Sequence, residues 1–127
     1  MLPMWLGTSN GSKSLYIDTL SKAKNVLERK TYGTDSNGIT KLYAELFTAK
    51  ANVISGAPSS YVSSAISAAD AYLATKDWRD WNTLSNTDKN KVLVWRQTLD
   101  KYNDGETSVK YCQDPKNRKE SDDEDDR

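Results

Sequence analysis

Apolar residues recur three and four positions apart over most of the chain, and that period predicts helices. The first stretch runs from Ser14 to Lys30. Tyr16, Leu20, Ala23 and Leu27 share its apolar face, with Ile17 and Val26 beside them. Ser12 or Ser14 is positioned as its N-cap, and Gly33 lies past its end. Thr34 to Gly38 reads as a polar turn.

A second stretch, from about Ile39 to Ser55, carries Ile39, Leu42, Tyr43, Leu46 and Val53. Gly56 sits where a helix C-terminus is capped, and Pro58 prevents continuation. A third stretch opens at a Ser59 or Ser60 cap and carries Val62, Ala65, Ile66, Ala69, Tyr72 and Leu73. Its Ala and Ser residues permit close helix approach. The residues Asp77 to Asn82 form either its last turn or a short helix of their own. Ser85 and Asp88 have the spacing of a capping box, Asp being a weaker match than Glu or Gln. The helix they open carries Val92, Trp95, Leu99 and Tyr102 and stops at Asn103 to Gly105.

Four amphipathic stretches with short connections predict an all-α fold, a small three- to four-helix bundle over residues 14–105. Residues 1–13 read as a flexible apolar N-terminal arm, Met-Leu-Pro-Met-Trp-Leu followed by a Gly/Ser/Asn linker. Pro3 favours an extended arm over a helical one. The arm either folds back on the bundle or inserts into a partner, with Trp5 and Leu6 as its anchors. Residues 106–127 form an extended C-terminal segment ending in an acidic tail. Within it Thr107 to Cys112 has mild strand propensity, and a lone strand needs a partner edge.

Length and charge narrow the reading. The 127 residues make one domain. The formal charge of zero hides an asymmetry. Residues 120–127 hold six acids and one base, which leaves 17 basic and 12 acidic residues, a net of +5, in 1–119. Such a tail stays solvated or docks on a basic patch, in cis or on a neighbouring subunit. Lys116, Arg118 and Lys119 precede the acids, which include Asp122 and Asp123.

The chemistry is defined largely by what is missing. The chain has no histidine, so Ser–His and Cys–His nucleophile pairs and imidazole metal sites are excluded. Its single cysteine, Cys112, reads as a bystander thiol and cannot form an internal disulfide. The glycines at 7, 11, 33, 38, 56 and 105 are scattered turns rather than a phosphate loop. Thr34 to Gly38 lacks the acidic closure of a calcium loop. Asp77, Asp80 and Asp88, with Arg79 between, are the available acid–base carboxylates, and nothing in their spacing forces them into a cleft. No stretch approaches the roughly 18 apolar residues of a membrane span, and the N-terminus makes a poor signal peptide. The expectation is therefore a non-enzymatic protein without cofactor or metal.

The tryptophans are the most distinctive feature. Trp78 and Trp81 are three apart on one helical face, with Trp95 further on. One reading is an aromatic knot closing the junction of the third and fourth helices. The other is a platform on which Trp78, Trp81 and Arg79 hold a carbohydrate or peptide. The modest basic charge and the opposing acidic tail argue against nucleic acid.

Residues 81–102, Trp81-Asn-Thr-Leu-Ser85, Asp88-Lys, Val92 and Trp95-Arg-Gln-Thr-Leu-Asp100-Lys-Tyr, resemble the ends of some bacteriophage tail-assembly and tail-fibre-associated proteins. In those proteins a helix opening after Leu-Ser carries an aromatic–Arg pair and then Leu-Arg-Asp. Here Leu99 is followed directly by Asp100. The earlier helices are similar to three-helix modules of extracellular and virion surface proteins. The first resemblance implies a structural or assembly role in a phage-like particle, in the virion or the host cytoplasm. The expected partners are other protein subunits, met through Trp5, Leu6, Trp78, Arg79 and Trp81 and through Lys116, Arg118, Lys119, Asp122 and Asp123.

Overall fold

The computed structural model describes residues 2–105. In chain order they form β1 (Met4–Leu6), β2 (Leu15–Ile17), α1 (Leu20–Glu28), α2 (Gly38–Ile54), α3 (Ser63–Leu73), a 3-10 helix (Trp78–Thr83) and α4 (Asn86–Asn103). The fold is mostly helical, as its periodicity predicts, with one small antiparallel sheet added.

Helix α2 is the element on which the others pack. It meets α4 most extensively, and also α1, α3, the 3-10 helix and β1. A helix contacted on so many sides must be apolar around most of its circumference. Nine of its residues are buried, including Ile39, Leu42, Tyr43, Leu46 and Phe47. Burial of each large side chain contributes about 1.5–3 kcal/mol. Asn37 caps α2, its Oδ1 accepting from the Ile39 and Thr40 amides. Gly56 follows the helix at φ +107°, a left-handed conformation that favours glycine.

Helix α4 also matches its expected pattern. Ser85 Oγ accepts from the Asp88 amide at 3.1 Å, and Val92, Leu99 and Tyr102 are buried. Tyr102 Oη donates to the Pro58 carbonyl at 2.5 Å, tying α4 to the loop after α2. Helix α3 begins at Ser63, later than a Ser59 or Ser60 cap implies. The Ser59 carbonyl instead accepts from the Val62 and Ser63 amides, forming a turn before the helix.

The N-terminal third departs from expectation. No helix starts near Ser14: residues 15–17 pair with residues 4–6, and α1 begins only at Leu20. Thr19, in extended backbone, caps α1 by accepting from the Lys22 amide. The face assigned to this helix therefore shifts. Tyr16 lies on the strand, and Leu20 and Leu27 are 79% and 48% exposed. The inward residues are Ala23 and Val26, with Ile17 buried on β2. The helix ends at Arg29, which takes the left-handed conformation at φ 60° without being glycine.

Residues 4–6 are likewise not a flexible arm. Met4 and Leu6 enter the same core as Ile17, Ile39 and Leu42. Leu6 has no exposed surface, so it does not anchor in a partner; its anchoring is internal. The expected C-terminal segment 106–127 lies outside the described residues.

Candidate functional site

The first candidate surface is the sheet. The register pairs Met4 with Ile17, Trp5 with Tyr16 and Leu6 with Leu15. Side chains alternate across a strand, so burying Met4, Leu6 and Ile17 turns Trp5 and Tyr16 to the other face. Their rings lie 4.7 Å apart, tilted by 43°. Trp5 is half-buried and Tyr16 is 41% exposed.

Two helices hold this sheet in place. Lys50 of α2 donates to the Trp5 carbonyl at 2.6 Å and to Asp70 of α3 at 2.8 Å. The same Asp70 oxygen accepts from the Gly7 amide at 2.9 Å. Four otherwise costly polar groups are thus satisfied together in a part-buried site. Lys50 and Asp70 carry no weight in a pattern search, because each interrupts an apolar helix.

The second candidate surface is the 3-10 helix. Asp77 is buried and caps it, accepting from the Arg79 amide at 2.9 Å, while the Asp77 amide donates back to Asp80. Arg79 also forms a 2.6 Å ion pair with Asp77 and lies 4.7 Å from the Trp78 ring centroid. Trp78 meets Tyr32 and Tyr43 edge-on at 5.5 and 6.4 Å. Asn37 Nδ2 donates to the Trp78 carbonyl at 2.8 Å. Trp81 lies over Gly38, where an added Cβ would fall 2.4 Å from the indole, and Lys89 stands 5.2 Å from the Trp81 ring.

Both indoles therefore pack against the core, each only partly exposed. Their partners are Tyr32, Asn37, Gly38 and Tyr43, around the start of α2, with Lys89 of α4 beside Trp81, rather than the junction of α3 and α4 by itself. Arg79, exposed over most of its side chain, is the accessible member of the group.

The three carboxylates weighed for acid–base chemistry have separate tasks. Asp77 caps and pairs with Arg79. Asp80 receives Lys13 at 2.8 Å, which holds its carboxyl below the usual range. Asp88 accepts from Tyr72 Oη at 3.1 Å. Burial, then that bond, pushes the Tyr72 phenol up to about 12. Burial likewise drives the Tyr43 phenol upward.

One buried acid was not legible in the pattern. Glu45 of α2 accepts from Arg29 at 3.1 Å and from Asn103 Nδ2 at 2.8 Å. Desolvation raises its pKa, against the opposing hydrogen bond from Asn103. It joins the end of α1 to the end of α4.

Among the described residues, no group of three or more His, Cys, Asp or Glu is placed to hold a metal ion, and no helix is long and apolar enough to cross a membrane. Cys112, Lys116, Arg118, Lys119, Asp122 and Asp123 lie outside the described residues. No family model, curated protein or solved structure matches the chain.

Proposed function

We propose that this chain is a non-enzymatic structural or assembly protein of a phage-like particle, one that binds neighbouring subunits. Its helices act as a compact bundle, and the terminal regions make the contacts. The observation that supports this most directly is the sheet face. Trp5 and Tyr16 form an aromatic pair on the outward side of a strand pair fixed by Lys50 and Asp70. Leu20, three residues beyond β2, adds a largely exposed apolar side chain. Aromatic side chains on rigid backbone are the usual centres of protein–protein contact. The resemblance of residues 81–102 to tail-assembly proteins supplies the phage setting, and the acidic tail beside a basic body supplies complementary charge.

Light scattering after size-exclusion chromatography tests the reading on the full chain and on residues 1–119, at low and high salt. The expected result is a salt-sensitive oligomer that shrinks without the tail. Tyr16→Lys in the full chain is expected to dissociate it further. A monomer under every condition, unaffected by Tyr16→Lys, removes self-assembly from the proposal.

A further inference from the structure

The chain holds two Asn-Gly pairs, Asn10-Gly11 and Asn37-Gly38. Such a pair carries its own chemistry, and asparagine is among the labile residues for that reason. Glycine has no side chain to shield its amide nitrogen, so that nitrogen can close on the asparagine Cγ. The new N–Cγ bond makes a five-membered imide. The side-chain nitrogen leaves as ammonia, carrying the glycine amide proton. Water then opens the ring at either carbonyl, giving aspartate or isoaspartate. The dipeptide alone ranks the two positions equally.

The fold separates them. Ring closure needs Cβ and the glycine nitrogen eclipsed about the Cα–C bond, which in an L residue means a ψ of about −120°. Asn37 is held at ψ 121° as the N-cap of α2. Its Oδ1 accepts from the Ile39 and Thr40 amides, and its Nδ2 donates to the Trp78 carbonyl. The swing to the reactive angle breaks all three bonds and moves the start of α2 from under Trp81. Asn10 has no such restraint. It is exposed in the turn between β1 and β2, and among the described residues its side chain has no hydrogen-bond partner. The Gly11 amide gives up one bond, to the Thr8 carbonyl at 3.1 Å. We infer that Asn10 is a site of spontaneous modification in this fold, converting to aspartate and isoaspartate, while its capping role preserves Asn37.

The seating of the loop says what isoaspartate does there. The loop is pinned on both sides of Asn10. The Gly7 amide donates to Asp70, and beyond Asn10 the Lys13 amide donates to the Ala74 carbonyl at 3.0 Å while its ammonium holds Asp80. Gly11 is pressed against the residue that ends α3, where an added Cβ would fall 2.6 Å from the Ala74 Cα. Isoaspartate adds one carbon to the main chain between the two pins, and the inner side has no room for the slack. The bond from Lys13 to Ala74, on the same side as Gly11, is the one that loosens. Aspartate at the same position adds the charge without the extra length. The loop joins the strands that carry Trp5 and Tyr16, and the inference stands independently of the assembly reading.

The full chain is aged at mildly alkaline pH, folded in buffer and unfolded in urea. Peptide mass spectrometry reads the amide-to-acid conversion at each asparagine, and isoaspartyl methyltransferase labels the isoaspartate. In the folded chain Asn10 is expected to convert more than about tenfold faster than Asn37, since one such bond slows a reaction by up to about tenfold and Asn37 must break three. In urea the two rates are expected to converge. Asn10→Gln, whose longer side chain closes the ring poorly, removes the methyltransferase signal from the folded chain. A folded chain in which Asn10 is unchanged, or converts no faster than Asn37, overturns the inference. So does a preference of the same size in urea, because the fold then has no part in it. Hydrogen exchange reads the loosened pin: the Lys13 amide is expected to exchange faster in the isoaspartyl form than in Asn10→Asp. Equal exchange in the two overturns the loosening.

Discussion

The Lys50 ammonium joins the Trp5 carbonyl and the Asp70 carboxylate, at 2.6 and 2.8 Å. This one side chain connects the N-terminal strand, the central helix and α3. Removing it leaves Asp70 charged, part-buried and without its cation, still accepting from Gly7. Lys50→Met is therefore expected to destabilise the fold by about 2–3 kcal/mol, below the value for a fully buried pair because both groups keep some exposure. Adding Asp70→Leu is expected to recover part of that loss, since the orphaned charge disappears with it. Urea unfolding of the two single variants and the double variant measures the coupling directly.

Gly38→Ala addresses the tryptophan knot. A Cβ at Gly38 falls 2.4 Å from the Trp81 ring, so the indole must shift or the start of α2 must move. Alanine is otherwise the better helix residue, and the sign depends on the collision. The collision outweighs propensity, and a loss of about 1–3 kcal/mol is expected. The accompanying shift in tryptophan emission reports whether Trp81 has moved. Unchanged emission and unchanged stability sink the account of the knot.

How much of this was readable beforehand differs by element. Helices α2 and α4 follow their apolar period and their punctuation, with Gly56 and Pro58 after one and Ser85 before the other. The two strands were not legible, because three residues are too short for a two-residue alternation to stand out from a helical period. Tyr16, Leu20, Ala23 and Leu27 fall at helical spacings, with Ile17 beside them, and so mimic one apolar helix face. The Trp78 and Trp81 contacts were half legible: the spacing flagged them, while Gly38 and Asn37, their partners, looked like ordinary turn residues. Glu45 and Lys50 were invisible for a different reason. Pattern reading assigns charged residues to the surface, and these two are held inside by partners distant in sequence.

The buried Glu45 sets a pH dependence whose sign can be worked out. Its folded pKa is raised by desolvation, so between the unfolded and folded values the native state binds the extra proton. Stability from this group then increases as pH falls through the folded pKa, and levels off below the unfolded one near 4.5. Asp80 acts oppositely. Its pKa is lowered by Lys13, so its contribution is present above the unfolded value of 3.8 and is lost as pH falls through the folded one. The two windows separate. Above 4.5 Glu45 is the one of these two groups that changes protonation on folding, and wild type is expected to gain stability relative to Glu45→Gln as pH falls from 7 to 4.5. The amide does not titrate, and its single oxygen accepts from Arg29 or from Asn103 but not from both, so only the pH-dependent part of the difference is read. Urea unfolding at both pH values checks the difference, and equal changes in the two proteins rule out Glu45 as the source.

Leu20 separates folding from association. Helical spacing assigned it to a buried stripe, and burial would make Leu20→Ala cost about 2–5 kcal/mol. In the structure it is 79% exposed, at the start of α1 and three residues past the end of β2. The expected cost is therefore within about 0.5 kcal/mol, typical of a surface substitution. Helix propensity adds nothing adverse, since alanine is the better former. If the Trp5–Tyr16 face is where copies meet, the same variant weakens assembly while leaving the monomer intact. Thermal unfolding and light scattering on one preparation read the two effects together. A large loss of stability contradicts the exposed position. Unchanged stability with unchanged assembly moves the contact away from the start of α1 and leaves Tyr16 to carry it.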